Sequence, residues 1–478
     1  MRRRDTGLAL VYLLVVAVAA GAEVRLPAQF GSRMVLQQGK PAPVWGWADA
    51  GAKVTVAFAA QEKSATAGED GKWTVTLDPL KASAAPGTMT VTAGDDVVKL
   101  DDVLVGEVWI CSGQSNMEWT VGACNCPDDI AAADHPLMRQ IKVPHKPSAE
   151  PLDDFQGSWV VCRPQTVPRF TAAGYFFARE LHKELGVPIG LVNSSWGGTR
   201  VEPWTPPCGF AAVPELAETA EKTYDAKSHQ QPTVLYNGMI SPLVPLAIRG
   251  AIWYQGESNG GEGVSYYHKK RALIGGWRKL FGQGDFPFYF VQLANWQQPN
   301  DNPQGGDGWA RLREAQLNTL KIPNTGMAVI IDIGEAGNIH PKNKQDVGRR
   351  LALWALAKDY GKEDLVYSGP LYQGMKVEGD KIRISFDHTG SGLMVGKKEG
   401  LEPVEEVKDG ELKRFAVAGA DRKWHWAEAV IDGDTVVVSC DEVKEPAAVR
   451  YAFSMNPQGC NLYNKEGLPA SPFRTDDW

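Results

Sequence analysis

The chain has 478 residues, 43% of them hydrophobic and 22% charged, with a formal charge of −7. That length exceeds one ordinary core and implies two or three domains, while the composition excludes a low-complexity or disordered chain. No basic cluster occurs outside the N-terminus, which argues against a nucleic-acid partner.

In chain order, Arg2, Arg3 and Arg4 precede an apolar run from Gly7 to Ala20, and Ala20-Gly21-Ala22 supplies a small-x-small cleavage pattern. Residues 1–22 therefore read as a secretory signal peptide, with the mature chain starting at Glu23. Losing three arginines and Asp5 takes the charge from −7 to −9. No other stretch is long and apolar enough to span a bilayer. The expectation is an exported protein, periplasmic or extracellular, with no stable membrane span after cleavage.

Residues 23–104 contain short alternating strands between turn signals, such as PAPVWGWA, AKVTVAFAA and KWTVTLDPL, and predict a small antiparallel β domain. Over 105–358 near-continuous apolar runs (VLVGEVWICSG, IGLVNSSWGG, GAIWYQGES, FPFYFVQLA, GMAVIIDIG) alternate with amphipathic helices. Buried strands separated by such helices predict an α/β fold with an open parallel sheet covered on both faces. From 359 to 478 the short alternating strands return, as in KIRISFDH and DTVVVSC, and predict a second antiparallel β-sandwich. Seven cysteines include only one close pair, Cys124 and Cys126, and no matching C-x-x-C or H-x-x-x-H, so no metal is expected.

Open α/β sheets place their chemistry at the carboxyl ends of the strands. Four such ends carry polar clusters: Gln114-Ser115-Asn116-Met117, Gly197-Gly198-Thr199, Gln255-Gly256-Glu257-Ser258-Asn259, and a loop leading to His340-Pro341. Taken singly, each has an ordinary explanation: a helix-capping serine, a tight glycine turn, amides satisfying buried backbone. Together they supply a nucleophile, oxyanion donors and a histidine, the inventory of acyl transfer.

The strings GEVWICSGQSNMEW, NSSWGGTRVEPW, GAIWYQGESN and IHPKNKQDVGRRLALWAL resemble the blocks of sialate O-acetylesterases and related bacterial acetylesterases of the SGNH-hydrolase superfamily, and the C-terminal VRYAFSMNP…CNLYNKEGLPASPFRTDDW is similar to the end of that family. The resemblance implies a flavodoxin-like core flanked by β domains, an acetylated carbohydrate as substrate, and no cofactor. It implies Ser115 as nucleophile and His340 as base. The implied oxyanion donors are the Ser115 N–H, the N–H of Gly197 or Gly198, and the Gln255 side chain. Many SGNH enzymes carry an acid two or three residues before the histidine, but Asn338 and Gly337 stand there. The third member is then Asp332, Glu335 or Asn338, or the enzyme is a Ser-His dyad. Glu257 is expected to hold Arg200 or a neighbouring loop, and Trp119, Trp196, Trp204, Trp253 and Trp296 are candidates for stacking on sugars or for the core. Acetylated sialic acid and acetylated xylan both suit the implied chemistry. The rival readings are a degenerate, carbohydrate-binding scaffold, which the Asn338 departure favours, and glycoside hydrolysis by Glu257 and Glu335.

Overall fold

A computed structural model describes residues 23–478; the expected signal peptide lies outside the described residues. The central sheet contains six parallel strands: β1 (Asp96–Gly113), β2 (His135–Lys142), β3 (Ile189–Ser195), β4 (Gly250–Tyr254), β5 (Phe288–Gln292) and β6 (Thr325–Val329). Their order is β6-β5-β4-β1-β3-β2, with the short strand Val160–Cys162 antiparallel at the β2 edge. Apart from the β2 edge, the order is the 2-1-3-4-5 of a doubly wound sheet. Every residue of β3, β4 and β5 is buried, as a sheet covered on both faces requires. The covering helices are α1 (Ala172–Leu185), α2 (Val264–Phe281), α3 (Ala310–Asn318) and α4 (Lys344–Asp359), with α1 packed on α4 and α2 on α3. The α1–α4 approach is close: a Cβ on Gly348 would lie 2.5 Å from the Phe177 nitrogen.

Strand β1 runs across the boundary expected at 104/105. Its first half pairs antiparallel with Ser83–Ala93 and is partly solvated, whereas its last eleven residues are continuously buried in the parallel sheet. The transition falls at Asp102, which has a left-handed φ of 58° and pairs with the buried Arg139 of β2 at 2.7 Å. One strand thus belongs to both the N-terminal β layer and the α/β core. The C-terminal part forms sheets of four, four and three strands around their own core, which includes Ile382, Val417, Val438 and Val449. The overall class is mixed α/β with additional antiparallel sheets. All seven cysteines are free, and Cys111 is fully buried in β1.

Candidate active site

Register brings three of the four strand ends together. Gly113, at the end of β1, is level with both Ser195 of β3 and Tyr254 of β4. Gly113 has φ 136°, and a Cβ there would meet the Tyr254 carbonyl at 2.1 Å. Only glycine lets β1 turn against β4 at that point. The helical turn Ser115–Glu118 follows, and Ser115 sits partly exposed at its start. Gly197 lies against it: a Cβ on Gly197 would be 3.3 Å from the Ser115 Cβ.

The turn after β3 is fixed from several sides. Glu118 Oε2 accepts the Gly197 N–H at 2.8 Å, and Gln230 donates to the Gly198 carbonyl at 2.9 Å while accepting the Arg200 N–H at 3.1 Å. Gln255 donates to the Thr199 carbonyl at 3.2 Å, and Asn259 Oδ1 accepts the Val201 N–H at 3.0 Å. No described residue accepts the N–H of Gly198, Thr199 or Ser115. The Gly197 N–H, by contrast, is already engaged by Glu118.

The expectation for Gln255 needs correction. Its side chain is fully buried behind the turn, donating to Thr199 and, at 2.7 Å, to Asn259 Oδ1, while its own oxygen accepts the Tyr266 hydroxyl at 2.8 Å. Both amide hydrogens are engaged, so Gln255 positions the turn and does not face its mouth. Of the two partners expected for it, Glu257 holds a neighbouring segment, the Ser115 turn, and not Arg200. It accepts Asn116 Nδ2 at 2.6 Å, and Arg200 pairs with Glu202 and Glu262. Burial raises the Glu257 pKa.

The His340 loop is joined to the Ser115 turn. Asn116 Nδ2 donates to the Ile339 carbonyl at 3.0 Å, and Trp119 stacks on the His340 ring with centroids 4.5 Å apart and 16° between planes. Lys344, at the start of α4, is buried and donates to Asn116 Oδ1 at 2.8 Å and to the Pro341 carbonyl. Burial lowers Lys344 to about 8, against the pull of Cys124 and Glu257. Burial, and then the charge of Lys344, lower the pKa of His340. Neither the Ser115 hydroxyl nor the His340 ring nitrogens have a hydrogen-bond partner among the described residues.

The three candidates for a third member are all bonded to groups other than the His340 ring. Asp332 forms a buried two-pronged pair with Arg350 at 2.6 and 2.8 Å. Glu335 accepts the Lys342 N–H at 2.8 Å, and Asn338 Oδ1 accepts the backbone N–H of His340 at 3.0 Å. Asn338 therefore shapes the loop's backbone; it does not touch the imidazole ring.

Sequence reasoning missed Glu118. Its other oxygen takes His145 Nε2 at 2.8 Å and Lys142 Nζ at 3.2 Å. Burial pushes this carboxyl up, but His145, the Gly197 amide and Lys142 together hold it down at about 2. The three-residue spacing from Ser115, on one helical face, was the available signal. His145 in turn stacks on Trp196 at 4.3 Å, and His229 covers the other Trp196 face at 4.7 Å. Both faces of Trp196 are thus occupied, Trp204 and Trp253 are core residues, and Trp296 stacks on Trp309.

The turn that carries Ser115 and the loop that carries His340 are joined through Asn116 and Trp119 at the carboxyl edge of a doubly wound sheet, where α/β folds place their sites. Comparison with known proteins defines the class. Residues 105–356 match the family described as carbohydrate esterase, sialic acid-specific acetylesterase, and the chain belongs to that family. The sialate O-acetylesterases of Homo sapiens and Pongo abelii are each 30% identical to it, over 98% of this chain and 95% of theirs. A carbohydrate acetylesterase from Xanthomonas citri is similar in structure, with a TM-score of 0.86 and 41% identity over 95% of this chain and all of that one. The protein is a carboxylic ester hydrolase, which removes the support for a purely binding scaffold.

Proposed function

We propose that the chain is an exported serine esterase with the SGNH-hydrolase fold that removes O-acetyl groups from sugars through Ser115 and His340. The observation that carries this reading is the joining of Ser115, the free Gly198 amide and His340 by level strand ends and by the Asn116 and Trp119 contacts. A serine hydroxyl is a weak nucleophile at neutral pH, so His340 takes its proton as the oxygen attacks the acetyl carbonyl. The oxyanion is received by the Ser115 and Gly198 N–H groups, with the Thr199 N–H beside them. His340 returns the proton to the leaving sugar oxygen, then activates the water that releases acetate. No cofactor takes part in this sequence.

With all three candidates for a third member bonded to other groups, the pair acts as a dyad. The Trp119 stack and the Asn338-shaped loop orient the imidazole in place of a carboxylate. A dyad lacks the carboxylate that would stabilise the imidazolium, which implies a slower enzyme, not an inactive one. The test is acetate release from p-nitrophenyl acetate, acetylated sialic acid and acetylated xylan by wild type and Ser115→Ala. Turnover in the wild type, reduced to background in the variant, is expected. An active Ser115→Ala would overturn the reading.

A further inference from the structure

A cavity of about 870 Å³ adjoins the His340 loop and plays no part in the chemistry described above. That volume lies within the range of small-molecule sites. Three stretches of chain line it: residues 124–129 after the nucleophile's turn, the loop bearing Glu335 and Lys342, and residues 398–401 of the C-terminal sheets. Its position follows from the chain path. Trp119 stacks on His340, Cys124 lies five residues beyond Trp119, and Lys342 lies two beyond His340. The cavity is thus walled by residues on both sides of His340 in the chain, Glu335 and Lys342.

The third wall is fixed in place. Asn343, which caps α4, donates to the Gly400 carbonyl at 3.1 Å, and Lys398 pairs with the buried Asp346 at 2.7 Å. The ionisable lining divides into paired and free groups. Asp129 is held by Arg179, Asp332 by Arg350, and Lys398 by Asp346. Among the described residues, Asp128, Glu335 and Lys342 have no ion pair, two carboxylates against one ammonium. A surface of that balance repels an added carboxylate but offers both donors and acceptors to hydroxyl groups. Leu401, 56% exposed, adds an apolar patch on the C-terminal side.

We propose that this cavity is a glycan subsite holding uncharged sugar residues that flank the acetylated one, so that the substrate is a neutral acetylated oligo- or polysaccharide in preference to an acidic monosaccharide. The proposal rests on the serine-esterase reading and gives the C-terminal sheets a part in substrate choice.

The experiment uses the full chain and four substrates: p-nitrophenyl acetate, acetylated xylose, acetylated xylo-oligosaccharides and O-acetylated sialic acid. The comparison variant carries Asp128→Ala, Lys342→Ala and Leu401→Ala together. Wild type should show a kcat/KM for the oligosaccharides at least about tenfold above either monosaccharide, equivalent to the loss of one or two good hydrogen bonds when the chain is shortened. The triple variant should lose that preference and keep its kcat/KM for p-nitrophenyl acetate, a small substrate that does not reach the cavity. Equal rates on oligosaccharide and monosaccharide, a preference for sialic acid, or an unchanged preference in the variant would each overturn the proposal and leave the esterase reading standing. Failure of wild type to hydrolyse even p-nitrophenyl acetate would instead remove the esterase reading and this proposal with it.

Discussion

The turn after β3 and the loop after β6 both adjoin the Ser115 turn but are held by different means. In the turn, side chains from four directions satisfy the backbone of residues 197–201 and leave the N–H groups of Gly198 and Thr199 without acceptors among the described residues. Donors that are fixed and unpaired are what a developing oxyanion requires, since no reorganisation is needed as charge appears. In the loop the pattern is reversed. Each acidic or amide side chain near His340 is bound to backbone or to Arg350, and the imidazole is the group left without a partner. Glu118, on the same helical turn as Ser115, is bound to the Gly197 N–H, His145 and Lys142. On the proposed mechanism the site is preorganised on its electrophilic side and lightly supported on its basic side.

The largest effect should come from the nucleophile. Ser115→Ala is expected to lower kcat by at least about 10⁴-fold with little change in thermal midpoint, as loss of a unit-acting nucleophile does. Next comes a test of whether Asp332 is structural or catalytic. Asp332 and Arg350 are almost wholly buried, and breaking such a pair from one side costs about 3–5 kcal/mol because the other charge stays buried. Asp332→Ala should therefore lower stability by that order in denaturant unfolding, while the folded fraction keeps a kcat within a few-fold of wild type. A loss of kcat in folded protein exceeding about 10³-fold would return Asp332 to the catalytic set.

A smaller effect is expected at Glu118, which couples the nucleophile's turn to the oxyanion turn through the Gly197 amide. Glu118→Ala frees that turn and should lower kcat about 10- to 100-fold, within the cost of misplacing one oxyanion donor, with KM for p-nitrophenyl acetate changed less than twofold. Glu118→Gln retains an oxygen acceptor for the Gly197 N–H and should recover most of the rate. If alanine and glutamine variants fall equally, the charge of Glu118 matters and its hold on the turn does not.

The two regions also differed in how far they could be read from the sequence. The buried runs ending in Gly113, Ser195 and Tyr254 announced parallel strands, and their polar ends announced a site, because a sheet covered on both faces leaves a period-free apolar signature. Strand β2 gave no such signature. Arg139 and Gln140 are buried within it, satisfied by Asp102 and the Thr171 N–H, partners distant in sequence. The same limit explains Gln255: its motif was visible, but its direction is set by Tyr266, eleven residues on, and by Asn259. Likewise nothing in the spacing of Asp332 indicated Arg350 as its partner. Local pattern specifies elements and their ends, while the aim of a buried amide or acid is a tertiary property.

The smallest expected effect concerns the basic side and its pH dependence. His340 must be neutral to accept the serine proton, and both burial and the neighbouring Lys344 charge disfavour its protonated form. The acid limb of kcat/KM should therefore inflect below the ordinary histidine value of about 6.5. Lys344, lowered to about 8, is still charged through that range. Removing its charge with Lys344→Met leaves burial, the larger cause, in place and relieves only the repulsion. The inflection should then move upward by less than about one pH unit, alongside some loss of kcat as the contacts to Asn116 and Pro341 disappear. A downward movement, or a limb that ignores both Lys344→Met and substitution of His340, would assign the titrating base to another group. The direction of the shift is the informative quantity, because loss of the loop's packing alone would lower the rate without moving the limb upward.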